Sequence, residues 1–466
     1  MNQSSHKPLL LVLLLFLCLE NKGQAQEKSD SIVIHNIYHS MLTEGQGYDW
    51  LRILCLNIGH RISGSEQLAR ADTYMKSIMD SLHFDSVWLQ PCKVPHWVRG
   101  KEEEGSVISS PFGSFPIDLL TLGNVNGTNG NFIKGQIIMV KSLEELKLMD
   151  DSRIKGKIVF INKPFEEAHL NTFQGYSNTV PIRSSGMGLA MQKGAIAILV
   201  RSVTTKSDNH PHAGGTRIED NAYQIPAFAI SLQSADKIAE ALGKGPCEVK
   251  LKSNALYLGL TDGYNVIGEI KGDSLPEEII VLGGHIDSWD VGQGAHDDGA
   301  GCVHSIEAVQ VLRRIGYKPK RTLRVVLFVN EENGVAGAIQ YMKYATQAPE
   351  KHIMAIESDA GGHTPTGFFI DARADKFPPF QSKVNSWNDL LSPYLLKFFP
   401  GHSGADIGFL KDMGTCLAGL APDSQRYFDY HHSENDTFDK VNKRELHIGT
   451  AAIASFIYLT DKYGCE

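Results

Sequence analysis

His285, Asp287, Asp297 and Asp298 fall within one glycine-rich stretch, Gly283-Gly284-His285-Ile286-Asp287-Ser288-Trp289-Asp290-Val291-Gly292-Gln293-Gly294-Ala295-His296-Asp297-Asp298-Gly299-Ala300-Gly301. An imidazole and several carboxylates offered together are donor types suited to zinc. The glycines let the backbone turn sharply and come close to a bound group. Three further clusters lie downstream: Glu331-Glu332, Asp359 ahead of Gly361-Gly362, and His431-His432. Taken singly, each reads as a solvated loop, a turn or a surface pair. Their joint occurrence points to a metal centre.

The elements that must position these residues are legible around them. The apolar run 279–282 reads as a buried strand leading into His285, and a helical pattern runs from Cys302 to about Ile315. Strands are expected at 265–271, 322–330 and 352–358, with a helix over 337–345. Such alternation argues for an α/β fold with a mostly parallel central sheet sandwiched by helices. In these sheets ligands bind beyond the carboxyl ends of the strands. His285, Glu331/Glu332 and Asp359 each follow directly after an expected strand, which is the physical reason to bring them into one pocket.

Upstream, residues 29–79 read as helix, loop, helix, and His60 in that loop is expected to be structural. The segment 87–98 carries Pro91 and Pro95 and so reads as an edge strand. Around 123–130 the composition turns to Gly and Asn. The following segment reads as an inserted β-rich module, with strands at 136–140, 157–162, 196–200 and 227–230 and helices at 185–193 and 234–242. None of its polar residues is spaced like a catalytic set, so its expected task is to shape or cover a cleft. His210 and His212 are expected to be loop residues, and Asp406 a turn residue. The resulting division is a signal at 1–25, a main domain of 26–123 and 259–466, and an insert of 124–258.

Of the 466 residues, 42% are hydrophobic and 21% charged, as in a soluble globular protein. A net charge of -8 speaks against a nucleic-acid partner. The apolar stretch 8–19 behind Lys7, followed by Gly23-Gln24-Ala25, reads as a cleaved export signal. The mature chain is then expected to be secreted or periplasmic, with no membrane attachment. Six cysteines remain, and the sequence alone picks no pairing. Cys302 and Cys416 sit in apolar surroundings and read as buried thiols, and no CxxC spacing appears.

The motifs Gly284-His285-Ile286-Asp287, Gly294-Ala295-His296-Asp297-Asp298-Gly299, Asn330-Glu331-Glu332, Glu357-Ser358-Asp359 and His432-Ser433-x-x-Asp436-Thr437 resemble those of the co-catalytic zinc exopeptidases of metallopeptidase family twenty-eight. The resemblance covers nearly all of the mature chain, and the insert resembles the protease-associated domain of such enzymes. It implies an exopeptidase hydrolysing dipeptides or short peptides, as a carboxypeptidase, aminopeptidase or dipeptidase, with two Zn2+ per chain. It further implies that His285 and Asp359 bind one zinc, that Glu332 and His432 bind the other, and that Asp297 bridges both. Asp287 would orient His285, and Glu331 would be the general base towards a metal-activated water. The choice of His432 over His431 rests on its preceding Ser433, as the family's histidine precedes Ser or Thr. A homodimer is a further expectation, although no apolar stripe supports it. Two alternatives are a non-catalytic receptor-type relative of the same fold and a single-zinc glutaminyl cyclase. The presence of all five expected ligands and Glu331 argues against the first, and His285 with the bridging pattern argues against the second.

Overall fold

The computed structural model describes residues 29–218 and 224–466. The signal expected at 1–25 lies outside the described residues. Two eight-stranded sheets organise the chain. One runs in the order Ser86–Val98, Leu256–Ile270, Arg321–Phe328, Leu275–His285, Lys351–Glu357, Cys416–Pro422, Pro365–Asp371 and Lys397–Pro400. Its centre is parallel: Leu275–His285 lies between Arg321–Phe328 and Lys351–Glu357, and the latter pairs with Cys416–Pro422. Ser86–Val98 is an antiparallel edge strand, the kind of position in which proline is tolerated, as Pro91 and Pro95 require.

Side chains alternate across this sheet. Ile280, Leu282, Val325 and Leu327 share a core with residues of the helices Glu66–Ser81, Ala300–Arg314 and Lys443–Tyr463. Ile279, Val281, Val326 and Phe328 face the other way and pack with Ala338, Tyr341 and Ala345 of the helix Ala336–Gln347. Strands covered on both faces read as continuous apolar runs, which explains why these segments show no polar alternation. Each such fully buried aliphatic side chain contributes roughly 1.5–3 kcal/mol. The uncovered direction is the carboxyl end of the parallel strands, where His285, Glu331 and Asp359 emerge.

The second sheet runs in the order Gly113–Pro116, Glu103–Ser109, Cys247–Ser253, Ile133–Val140, Ile158–Ile161, Ala197–Arg201, Ala227–Ile230 and Leu119–Thr121. The four strands from Ile133–Val140 to Ala227–Ile230 are mutually parallel. The helix Pro181–Gln192 covers one face and Leu232–Lys244 the other. The module is therefore α/β in build rather than simply β-rich. It also starts upstream of the expected border at 124, because three strands within 103–121 belong to it. The Gly/Asn stretch at 123–130 is an internal loop, tied down where Thr128 donates its N–H to the Ser253 carbonyl at 3.0 Å.

Candidate metal centre

The glycine-rich loop after Leu275–His285 is held from behind by Arg61, whose side chain is fully buried. Arg61 Nε donates to the Ile286 carbonyl at 2.5 Å, Nη1 to Gln293 at 2.9 Å and Nη2 to Gly294 at 2.9 Å. Gly294 has φ +57°, and a Cβ there would lie 2.4 Å from Ser288 Cβ and 2.8 Å from Arg61 Nη1, so glycine is required. The next turn is held by two carboxylates acting on backbone. Asp436 accepts the N–H groups of His296 (2.8 Å) and Asp297 (3.1 Å). Asp298 accepts those of His285 (3.0 Å) and Gly301 (3.0 Å). The Asp297–Asp298 peptide is cis.

This scaffold presents Asp297 between two imidazoles. Its Oδ1 lies 3.2 Å from His285 Nε2, and its Oδ2 lies 3.3 Å from His432 Nε2. His285 Nε2 is also 3.4 Å from Asp359 Oδ1, and His432 Nε2 is 3.0 Å from Glu332 Oε2. His285, Asp297 and Asp359 form one compact set and Asp297, His431 and His432 a second, with Glu332 reaching the second through its contact with His432. His431 stacks on His432 with ring centres 3.5 Å apart, and its Nε2 is 3.8 Å from Asp297 Oδ2. Two imidazoles thus border the same oxygen, and the shorter contacts belong to His432. Asp359 is the most open of the five expected ligands, its side chain 20% exposed against 1% for His285.

The back of each imidazole explains its orientation. His285 Nδ1 lies 3.0 Å from the Asp287 carbonyl oxygen, with the Asp287 carboxylate at 3.8 Å. The orienting contact expected from Asp287 thus comes from its backbone. Its carboxylate instead accepts the Glu331 N–H at 3.1 Å and the Ser63 hydroxyl at 3.3 Å. His432 Nδ1 lies 3.2 Å from the Ala213 carbonyl oxygen, to which Arg183 Nη1 also donates at 3.1 Å. A carbonyl accepts only, so His285 Nδ1 donates to Asp287, while His432 Nδ1 faces both the Ala213 carbonyl and Arg183 Nη1, the latter at 3.4 Å; Nε2 of each ring is turned towards the carboxylates.

Ala213 and Arg183 belong to the second module, which was expected to shape or cover a cleft without supplying catalytic residues. His212, expected as a loop residue, is buried, and its Nδ1 lies 2.6 Å from the His431 carbonyl. Thr204 donates to the Phe428 carbonyl at 2.6 Å. Tyr427 and Phe428 in turn pack in the module's own core. The loop bearing His431 and His432 is therefore built jointly by both sheets. Asp406 does lie in a turn, but it is buried beside the Glu357 carboxyl, which accepts the N–H groups of Ala405 and Ile407.

Electrostatically the pocket is crowded with acid groups. Burial drives Glu332 and Asp298 well above the usual carboxylate range, and neighbouring carboxylates add to it. Burial pushes Glu331 up to about 8, with Asp359, Asp297 and Asp287 adding and His285 opposing. Burial works against a charged His285, yet Asp359 and Asp297 outweigh it and hold that imidazole well above its usual value. Such a site favours positive charge. Asp297 Oδ2 is buried with no hydrogen-bond donor. Two imidazoles and three carboxylates, whose protons a bound dication would displace, form a donor set that fits divalent zinc.

Residues 265–457 match Peptidase family M28. The chain is 34% identical to Carboxypeptidase Q of Homo sapiens over 418 residues, which is 89% of this chain and 85% of that protein. The crystal structure of the Peptidase M28 precursor from Shewanella amazonensis superposes with a TM-score of 0.87 at 32% identity, covering 93% of this chain and 97% of that one. A zinc aminopeptidase from Bacillus subtilis shares the fold, with a TM-score of 0.63 at 17% identity over 89% and 94% of the two chains.

Proposed function

Because the chain belongs to Peptidase family M28 and is a metallopeptidase, we propose that it is a dinuclear zinc exopeptidase acting on dipeptides or short peptides. The observation that carries this reading is Asp297, whose two oxygens face separate imidazole–carboxylate sets. His285 and Asp359 would hold one zinc, His432 and Glu332 the other, and Asp297 both. Zinc in such a pair supplies Lewis acidity, polarising the scissile carbonyl and acidifying a water.

The chain's own groups do the rest. Glu331 takes the proton of the attacking water and returns it to the leaving amine. A carboxyl raised by its surroundings is a stronger proton acceptor, once ionised, than a free carboxylate. Asp287 fixes the backbone from which Glu331 projects. The Ala213 carbonyl, 3.2 Å from Nδ1, holds the His432 ring with Nε2 turned towards Asp297 and Glu332. The Carboxypeptidase Q and aminopeptidase relatives support an exopeptidase that works at a chain end.

Export through the segment at 1–25 belongs to the same proposal, as does a protease-associated character for the second module. Among the described residues no helix is long and apolar enough to cross a membrane. The testing experiment is cleavage of matched dipeptides with free, amino-blocked or carboxyl-blocked termini by zinc-loaded protein. Cleavage that needs one particular free terminus supports the reading and tells which end is used. No cleavage of any of the three contradicts it.

A further inference from the structure

Six cysteines lie among the described residues, all as free thiols, and two of them approach the same strand. Cys416 opens the strand Cys416–Pro422 and stands opposite Met354 in the parallel pairing with Lys351–Glu357. Cys465 follows the helix Lys443–Tyr463, and its Sγ lies 3.6 Å from the carbonyl oxygen of Ile353, the residue before Met354. Gly464, at φ +75°, turns the chain off the helix towards that point. Lys376 Nζ, 2.6 Å from Glu466 Oε1, holds the last residue there. Both cysteines are buried, and they border neighbouring residues of one strand, Cys416 beside Met354 and Cys465 beside Ile353.

We propose that Cys416 and Cys465 form a disulfide that fastens the segment after the helix Lys443–Tyr463 to the central sheet. The residue that reads from its surroundings as a lone buried thiol becomes half of a cross-link. The inference does not depend on the peptidase reading. The bond forms by exchange with a small-molecule disulfide such as oxidised glutathione. One cysteine thiolate attacks the reagent's S–S bond, releasing one reduced thiol and leaving a mixed disulfide. The second cysteine thiolate attacks the protein sulfur of that mixed disulfide, releasing the second reduced thiol. The two protons lost by the cysteines end on the two glutathione sulfurs. Contact with Cys416 and burial hold the Cys465 thiol well above its usual pKa, so closure belongs to folding, before the pair is covered.

The ring so closed spans 416–465 and contains His431, His432, Asp436 and the helix Lys443–Tyr463. Cross-linking it removes freedom from the unfolded chain and raises the thermal midpoint. As the test, the full chain is folded in a buffer of oxidised and reduced glutathione, alkylated in denaturant and digested without reduction. The expected result is a peptide pair joining 416 to 465, with a midpoint several degrees above that of the dithiothreitol-treated protein. Cys465→Ser should show the same midpoint with and without reductant. Recovery of both cysteines in alkylated form, or either one bonded to a different cysteine, overturns the proposal. So does a Cys465→Ser variant that responds to reductant as fully as the parent.

Discussion

Asp287 accepts the backbone N–H of Glu331 at 3.1 Å. A carboxylate two positions after His285 thereby holds the segment that carries the proposed base, while its backbone carbonyl faces the His285 ring. Replacing Asp287 with Ala should lower kcat/KM by about 10- to 100-fold, the usual cost of losing such support. Steady-state kinetics on a dipeptide checks this, and an unchanged kcat/KM would show that the contact does not matter.

Glu331→Gln removes the proton acceptor but keeps the side-chain shape. Turnover should fall by about 10²- to 10⁴-fold, while zinc content stays at the parent level. Parent-like turnover in this variant would remove Glu331 from the role of base.

Arg61 binds three carbonyls of the loop that leads from His285 to Asp297. Arg61→Ala leaves them buried without a charged donor, at a cost of about 3–5 kcal/mol. The denaturant midpoint should drop accordingly and zinc should bind more weakly. A surface-like loss below about 0.5 kcal/mol would contradict the pinning role.

His304 is fully buried between Ser358 and the Leu446 carbonyl, and burial pushes it down to about 4. In the unfolded chain it titrates near its usual value of 6.5. Between these values the unfolded chain binds the extra proton, so the contribution to stability is complete above about 6.5 and is lost as pH falls towards 4. Its full extent is roughly 3 kcal/mol. Buried carboxyls act in the opposite sense: burial pushes Asp72 up to about 8, so its ionisation penalises the fold as pH rises towards that value. The clean readout is therefore the difference between the parent and His304→Gln. The parent should lose more stability than the variant between pH 6.5 and 4.5, and parallel profiles would refute the assignment.

Much of the centre was legible in the chain because its key side chains sit at strand ends. A buried parallel strand announces itself by an unbroken apolar run, and the polar residues that follow it within a few positions lie at the sheet's carboxyl edge. That logic places His285, Glu331, Glu332 and Asp359. The residues it missed act on backbone or arrive from elsewhere. Arg61 is one cation beside His60 in a short loop, and nothing local shows that it reaches across to 286–294. Ala213 contributes a carbonyl, which has no sequence signature at all. Arg183 and His212 lie on the second module, whose polar residues have no spacing of their own because their geometry is completed by the His431–His432 loop. The upstream border of that module was obscured because short strands such as Gly113–Pro116 and Leu119–Thr121 resemble the loops around them.

Zinc counted per chain, in the parent and in Asp297→Ala, addresses the shared carboxylate most directly. Elemental analysis after dialysis against trace zinc should find two ions in the parent and a marked loss in the variant, because a single side chain serves both sets. A parent that holds one ion or none, or a variant that keeps the full complement, would contradict the dinuclear centre.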